Sequence, residues 1–337
     1  MRQFLLITVL ILIAASVFVL KFESPPRENA ILEKATEKVA TTSAPNLEAE
    51  KKQEDKKIVD DLKKQINSLS SEIKSLKQVP LPNPAPIPVL SPAIKSSEIY
   101  NKALGAVLNV FCFDRKANAY IFGSASIIYP KGYILTNGHL AAHFLDQDTE
   151  CLLRRGSPAR NFAKAKVIWL PDLKTKIGVS EIPEKDIAIL KITELADGSV
   201  PLQEFEYFDI NKNYVPKVGE KLYSLNYPSE FLGADTALSN TNLVFTLGTV
   251  DSFLTVDDNA ADAEGVYLKG ELSAQHGSSG GIFLDTRKGE IVGLFVGLTE
   301  GKTTSLRMQF MFMSSYINRI LIEEKGMGIS EYLDTNP

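Results

Sequence analysis

Three histidines and two cysteines in 337 residues leave this chain few routes to chemistry. One stretch stands out, Gly277-Ser278-Ser279-Gly280-Gly281. Glycines on both sides of a serine let the backbone turn sharply and leave successive amide N–H groups facing one space. Such amides can hold an oxyanion that forms beside the serine hydroxyl. Taken alone, the stretch is equally a flexible turn between two apolar strands. A serine hydroxyl is a poor nucleophile until a base takes its proton. The candidate bases are His139, His143 and His276. His139 closes Tyr133-Ile-Leu-Thr-Asn-Gly-His139, where an apolar strand gives way to a small polar turn. His143 would share a helix face with it, but no glutamate lies between them in the metalloprotease manner. It reads as a surface or packing histidine. The base in turn needs a buried carboxylate to fix its tautomer. Asp186 stands at the entry to the apolar run Ile187-Ala-Ile-Leu-Lys-Ile192; alone, it would read as a turn residue.

The elements that must position these groups are short strands. Ala106–Phe113, Ile121–Ile128, Gly132–Thr136, Lys164–Leu170, Ile187–Ile192, Lys221–Asn226, Leu243–Val250, Val266–Lys269, Gly281–Leu284 and Ile291–Val296 are rich in Val, Ile, Leu, Phe and Tyr. Gly, Pro, Asn and Asp turns separate them. No long helical pattern intervenes before Ser315–Glu324, which argues against a parallel βαβ architecture. The pattern predicts an all-β barrel or sandwich over residues 95–337.

In combination, the three stretches resemble the trypsin-like serine peptidases, and most closely their bacterial Deg-type branch. Gly132 to His139 is similar to that family's histidine motif, Lys185 to Ile192 to its aspartate motif, and Gly277 to Gly281 to its nucleophile motif. The order His, Asp, Ser matches the chymotrypsin arrangement and not the subtilisin or α/β-hydrolase ones. The resemblance implies two six-stranded antiparallel barrels with a C-terminal helix. It makes Ser279 the nucleophile, His139 the base and later acid, and Asp186 the orienting carboxylate, with the N–H groups of Gly277 and Ser279 as the oxyanion hole. His139 and Asp186 would come from the first barrel and Ser279 from the second. There are departures. Ser278 replaces the aspartate that digestive relatives pair with a new amino terminus, and Asn226 stands where a glycine often precedes Tyr-Pro. Gly123-Ser124-Ala125-Ser126 replaces a more glycine-rich pattern. No PDZ domain is expected after Pro337. Ser273, Ala274, Val296 and Leu298 are expected to line the pocket for the side chain before the cut bond. None is acidic, so a small or medium apolar residue is expected there instead of Lys or Arg.

Ahead of this domain the composition falls into zones. Phe4 to Leu20 is an unbroken apolar run of 17 residues, with Arg2 before it and Lys21 after. It reads as an uncleaved membrane anchor over 1–21, with a signal peptide as the alternative; either places the chain outside the cytoplasm. Residues 22–57 are charged, poor in large apolar groups and expected to lack fixed structure. Val59, Leu62, Ile66, Leu69, Ile73 and Leu76 occupy a and d positions of three heptads. This predicts a short coiled coil over 58–78 and self-association, against a solitary amphipathic helix. Residues 79–94 are proline-rich and read as a semi-rigid spacer.

In an exported chain the pair Cys112 and Cys151 suggests a disulfide bracing the loop that carries His139, worth about 3–4 kcal/mol. Two buried free thiols are the alternative. No spacing suggests a metal site, and no cofactor is expected. The net charge of −4 gives no basic face for nucleic acid. The expected partners are polypeptide substrates, the membrane and a second copy of the chain. Two readings follow: a serine endopeptidase acting on exported or unfolded segments, or the same fold as a catalytically inactive polypeptide-binding module.

Overall fold

The computed structural model describes residues 47–76, 93–173, 176–177, 182–255, 262–271, 275–299 and 306–335. The apolar run Phe4–Leu20, the prolines of 79–92 and the pocket candidates Ser273 and Ala274 lie outside them. Among the described residues no helix is long and apolar enough to cross a membrane.

The chain divides into two compact units, Met1–Pro88 and Val89–Pro337. In the first, Leu47–Leu76 is one helix. Its sequence has no Gly or Pro and is rich in Lys, Glu, Gln and Leu, all good helix formers. The helix therefore begins well inside 22–57, where no fixed structure is expected from composition: charge alone does not forbid a helix when Lys, Glu, Gln, Ala and Leu make up nearly all of residues 47–57. Val59, Leu62, Ile66 and Leu69 are all exposed on it.

Among the described residues, the second unit holds twelve strands in two closed antiparallel barrels, and one small ribbon. In chain order the first barrel uses β1 (Val107–Asp114), β2 (Ala119–Tyr129), β3 (Tyr133–Thr136), β4 (Thr149–Arg155) and β5 (Arg160–Trp169). The ribbon β6–β7 (Lys176–Ile177, Ile182–Pro183) follows, and β8 (Ala188–Leu195) closes the first barrel in the order β1-β2-β3-β8-β5-β4. The second barrel uses β9 (Lys221–Asn226), β10 (Val244–Leu254), β11 (Gly265–Glu271), β12 (Ile282–Asp285), β13 (Ile291–Leu298) and β14 (Gln309–Met313). Its strands run in the order β10-β11-β14-β13-β12-β9.

Side-chain alternation explains why β3 and β8 read as unbroken apolar runs. Ile134, Ala188 and Leu190 point into the first barrel. Tyr133, Leu135, Ile187 and Ile189 belong to the larger core that includes the second barrel and the C-terminal helix. Both faces of these strands are buried, so no polar position interrupts them.

Two barrel strands and the short ribbon β6–β7 escaped the sequence pattern. β4 carries two consecutive arginines, Arg154 and Arg155, which interrupt an apolar strand pattern. Arg154 is nevertheless buried: its guanidinium lies 4.4 Å from the Phe111 ring and donates to Asn109 Oδ1, Leu238 O and Ala237 O. β14 is Gln-Phe-Met-Phe-Met, in which methionine gives little strand signal. The helix Ser96–Ala106 was also not anticipated. The C-terminal helix runs Ser314–Lys325 and ends at Gly326 in the left-handed region, whose N–H donates to Ile322 O as in the αL cap.

Candidate active site

The register of two strands brings the first pair of groups together. β3 and β8 are antiparallel, with Thr136 opposite Ala188. The chain leaving β3 and the chain entering β8 therefore meet at one edge of the barrel. His139 lies three residues beyond Thr136, in the short helix Gly138–His143. Asp186 lies two residues before Ala188, and its residue is only 1% exposed. Its Oδ1 accepts the His139 backbone N–H at 2.8 Å, and its Oδ2 lies 2.8 Å from His139 Nδ1. A buried carboxylate is costly unless its lone pairs are taken; here one residue supplies two donors. Nδ1–H directed at a carboxylate leaves Nε2 as the free lone pair of the imidazole. The His139 side chain is 43% exposed, so that nitrogen can meet another molecule.

The approach to Asp186 is held from two sides. Asn137 Nδ2 donates to the Asp186 carbonyl at 2.9 Å. From the C-terminal helix, Tyr316 Oη donates to Glu184 O at 2.9 Å, and Glu324 takes both Lys185 Nζ and Trp169 Nε1 at 3.1 Å. His143, as expected, is half-buried and stands outside this pair; burial, and then the neighbouring His139, push its imidazole below the ordinary value. Among the described residues no group of His, Cys, Asp and Glu is arranged to hold a metal ion.

Ser279 comes from the loop ahead of β12, and β2 of the first barrel pins that loop. Ser124 N donates to Ser279 O at 2.7 Å. Ser124 Oγ donates to Gly277 O and accepts from Tyr227 N, both at 2.9 Å. Ser124 O accepts Thr136 Oγ1 at 2.8 Å. A single buried serine thus links the nucleophile loop to the end of β3, three residues from His139. Gly280 is required at this junction: with φ +82° it packs so closely that a Cβ would overlap the Ser124 carbonyl oxygen. On the other flank, Gly280 N donates to Phe295 O at 3.1 Å and Phe295 N to Gly281 O at 2.8 Å.

The expected oxyanion amides belong to this loop. Gly277 has φ +94°, and a Cβ there would overlap Ser229 Oγ and Tyr227 O. The N–H groups of Gly277 and Ser279 donate to no partner among the described residues, whereas Ser278 N donates to Gln275 O at 3.2 Å. Nor is Ser279 Oγ hydrogen-bonded to His139 among the described residues; such bonds commonly tighten only with substrate in place. Two of the departures from the family pattern turn out to be partners: Ser278 Oγ donates to Asn226 Oδ1 at 2.9 Å, and both are buried. Asn137 lies in the histidine motif and Ser124 in the Gly123–Ser126 departure, but neither position signals the hydrogen bonds it makes, and Ser229 carries no motif signal.

Of the pocket candidates, Val296 is buried and Leu298 half-buried, both on β13 beyond Phe295. Cys112 and Cys151 form a disulfide, as expected, between directly opposite positions of β1 and β4. It ties β1 to the strand that follows the His139 helix.

A family model described as the trypsin-like peptidase domain matches residues 123–294, half of the chain. No curated protein matches. Solved structures that match include the serine endoprotease from Yersinia pestis, at 21% identity over 69% of this chain and 68% of that one, TM-score 0.46. Another is the HtrA-type protease AlgW with a tripeptide, at 16% identity over 69% of this chain and 65% of that one, TM-score 0.46. The chain spans about two thirds of the length of each.

Proposed function

The chain belongs to the trypsin-like peptidase family, and from that premise we propose that it is a serine endopeptidase of the Deg type acting through Ser279, His139 and Asp186. His139 Nε2 takes the proton as Ser279 Oγ adds to the scissile carbonyl. The negative charge that develops on the carbonyl oxygen is received by the Gly277 and Ser279 N–H groups, each such donor being worth about 10²–10³ in rate. Collapse of the tetrahedral intermediate breaks the C–N bond, and the imidazolium returns its proton to the leaving amine. The acyl-enzyme is then hydrolysed by a water activated in the same way. Asp186 keeps Nδ1–H directed inward and stabilises the imidazolium without itself being protonated.

The observation that carries this reading is the buried Asp186 carboxylate, bonded at 2.8 Å to both the amide and the Nδ1 of His139. A turn aspartate has no need of both bonds. The loop around Ser279 is anchored by Ser124 and Phe295 and leaves the Gly277 and Ser279 N–H groups without a partner among the described residues, which disfavours the binding-module alternative with its ill-formed oxyanion hole.

The substrate is an extended polypeptide segment from an exported or unfolded protein, with a small or medium apolar residue before the cut bond. Val296 and Leu298 on β13 belong to its pocket. The apolar run Phe4–Leu20 anchors the chain, with the peptidase unit outside the cytoplasm; the chain is secreted if that run is cleaved. The Cys112–Cys151 disulfide fits such an oxidising compartment. The exposed stripe Val59, Leu62, Ile66, Leu69 meets the same stripe of a second copy, because an a/d seam buries only against a partner helix.

Fluorophosphonate labelling of the full-length chain tests the central claim. Labelling that disappears in both Ser279→Ala and His139→Ala is the expected result. A folded chain that fails to label, or a labelled His139→Ala variant, would overturn it.

A further inference from the structure

The second barrel buries polar groups that its own fold leaves unpaired. Gln309 opens β14 and is 0% exposed, yet neither its Oε1 nor its Nε2 has a hydrogen-bond partner among the described residues. Thr246 Oγ1 on β10 is likewise buried and without one. An unpaired buried polar group destabilises a fold, and native interiors keep few of them. Two in one barrel call for a partner that arrives from outside the chain.

Strand register puts both groups on one face. Directly opposite residues of a ladder, and residues two apart on a strand, point the same way. Thr246 stands opposite Ser224, and two residues on, Gly248 stands opposite Gly270. Two residues back along β11, Leu268 stands opposite Gln309, which is in turn opposite Leu298 of β13. The neighbouring Phe245 packs outward, its ring 6.3 Å from that of Tyr100 in the helix Ser96–Ala106. The face of Thr246 and Gln309 therefore points into the barrel.

This interior adjoins the candidate site. Leu298, the half-buried pocket residue of β13, shares its face with Gln309. Ser224 Oγ, opposite Thr246, accepts Asn226 Nδ2 at 3.2 Å, and Asn226 in turn accepts Ser278 Oγ, one residue from the nucleophile. Between Thr246 and Gln309 lies the Gly248–Gly270 pair, which supplies no side chain. The atoms nearest a Cβ at Gly270 would be backbone of Leu247, Gly248 and Thr249, at 3.5, 3.8 and 3.9 Å.

We propose that Gln309, with Thr246, forms a polar floor to the specificity pocket and selects a medium side chain ending in a neutral hydrogen-bonding group. Before the cut bond, Asn and Thr are then preferred over their isosteres Leu and Val. The proposal rests on the peptidase reading above; it keeps that pocket's size and replaces the apolar preference that its walls alone suggest. Gln309 Nε2 donates, its Oε1 accepts, and Thr246 Oγ1 does either. A carboxamide or hydroxyl can pair with them, whereas a methyl group leaves both amide atoms of Gln309 orphaned, the costly case. None of the residues named on this face is charged, so a carboxylate or ammonium finds no counter-charge among them.

The test uses the full-length chain and its Gln309→Met and Thr246→Val variants. Cut sites in unfolded casein, read by mass spectrometry, supply a peptide frame in which only the residue before the cut is changed among Asn, Leu, Thr and Val. For wild type, kcat/KM should be about 10- to 100-fold higher with Asn than with Leu, and with Thr than with Val, the range for one buried hydrogen bond made or missed. Gln309→Met has the same length without the amide and should abolish or reverse the Asn preference. It should also raise the thermal midpoint, because it removes an unpaired buried group; a merely structural glutamine would give a lower one. Thr246→Val should shrink the Thr preference and supplies the test should Gln309→Met fail to fold. Equal rates for Asn and Leu, or faster cleavage after Leu, overturn the proposal and leave a wholly apolar pocket. So does a Gln309→Met chain that keeps the wild-type preference. If the wild type neither labels with fluorophosphonate nor cuts casein, the peptidase reading falls first and this one with it.

Discussion

The two halves of the site are held together in different ways. On the His139–Asp186 side, the placement follows from one strand pairing: Thr136 opposite Ala188 brings the two residues to the same edge, and two 2.8 Å bonds between the same residues complete it. On the Ser279 side, no single pairing does this. Ser124 from the first barrel and Phe295 from β13 each bond two backbone groups of the loop 276–281, and Ser229 and Glu230 from the loop after β9 bond one each. The first half is rigid because strands are rigid. The second is assembled from side chains and depends on all of them.

This difference sets the order of the expected effects. Asp186→Asn should lower kcat by about 10⁴, because the wrong imidazole tautomer is held. Activity assays on the purified variant would show it, and a loss below tenfold would mean that His139 is not the base. Replacing Cys112 and Cys151 together by alanine should cost about 3–4 kcal/mol of stability in urea unfolding, since the bridge closes a loop of 39 residues. kcat should change much less, because the β3–β8 pairing that places the triad residues does not pass through it. Ser278→Ala should cost about 1–3 kcal/mol by leaving the buried Asn226 oxygen without its donor. Here kcat should fall as well, which would mark the nucleophile side as the one where stability and activity are coupled.

The smallest effect concerns acid. The Arg307 guanidinium holds the Glu230 carboxyl below the ordinary glutamate value of 4.5. A carboxylate with a lowered folded pKa stabilises the fold above its unfolded value, and the contribution disappears as pH falls through the folded one. Thermal midpoints measured downward from pH 5 should therefore fall more steeply for wild type than for Glu230→Gln. Parallel curves would contradict the pairing.

The same contrast separates what the sequence reveals from what it hides. Tyr133–Thr136 and Ile187–Leu190 advertise themselves because both of their faces are buried, and the polar residues just beyond them are then conspicuous. The Ser-Gly-Gly nucleophile loop is legible because Gly277 and Gly280 need positive φ and close approach. Glu230 and Arg307 look like ordinary surface charges, and only the fold brings these residues, 77 apart in sequence, into contact. Ser278 and Asn226 appear separately as departures; their hydrogen bond makes them one substitution. β4 is hidden for a related reason, since Arg154 is buried only because Phe111, Asn109 and two carbonyls receive it.

The central claim is that Ser279 of one barrel and His139 of the other work as a single unit. The most direct measurement is a double-mutant cycle on the full-length chain, with kcat determined for wild type, Ser279→Ala, His139→Ala and the double variant. Each single change is predicted to lower kcat by about 10⁶, and the double variant to be no slower than either. A double variant slower by the product of the two losses, or either single variant near the wild-type rate, would contradict it.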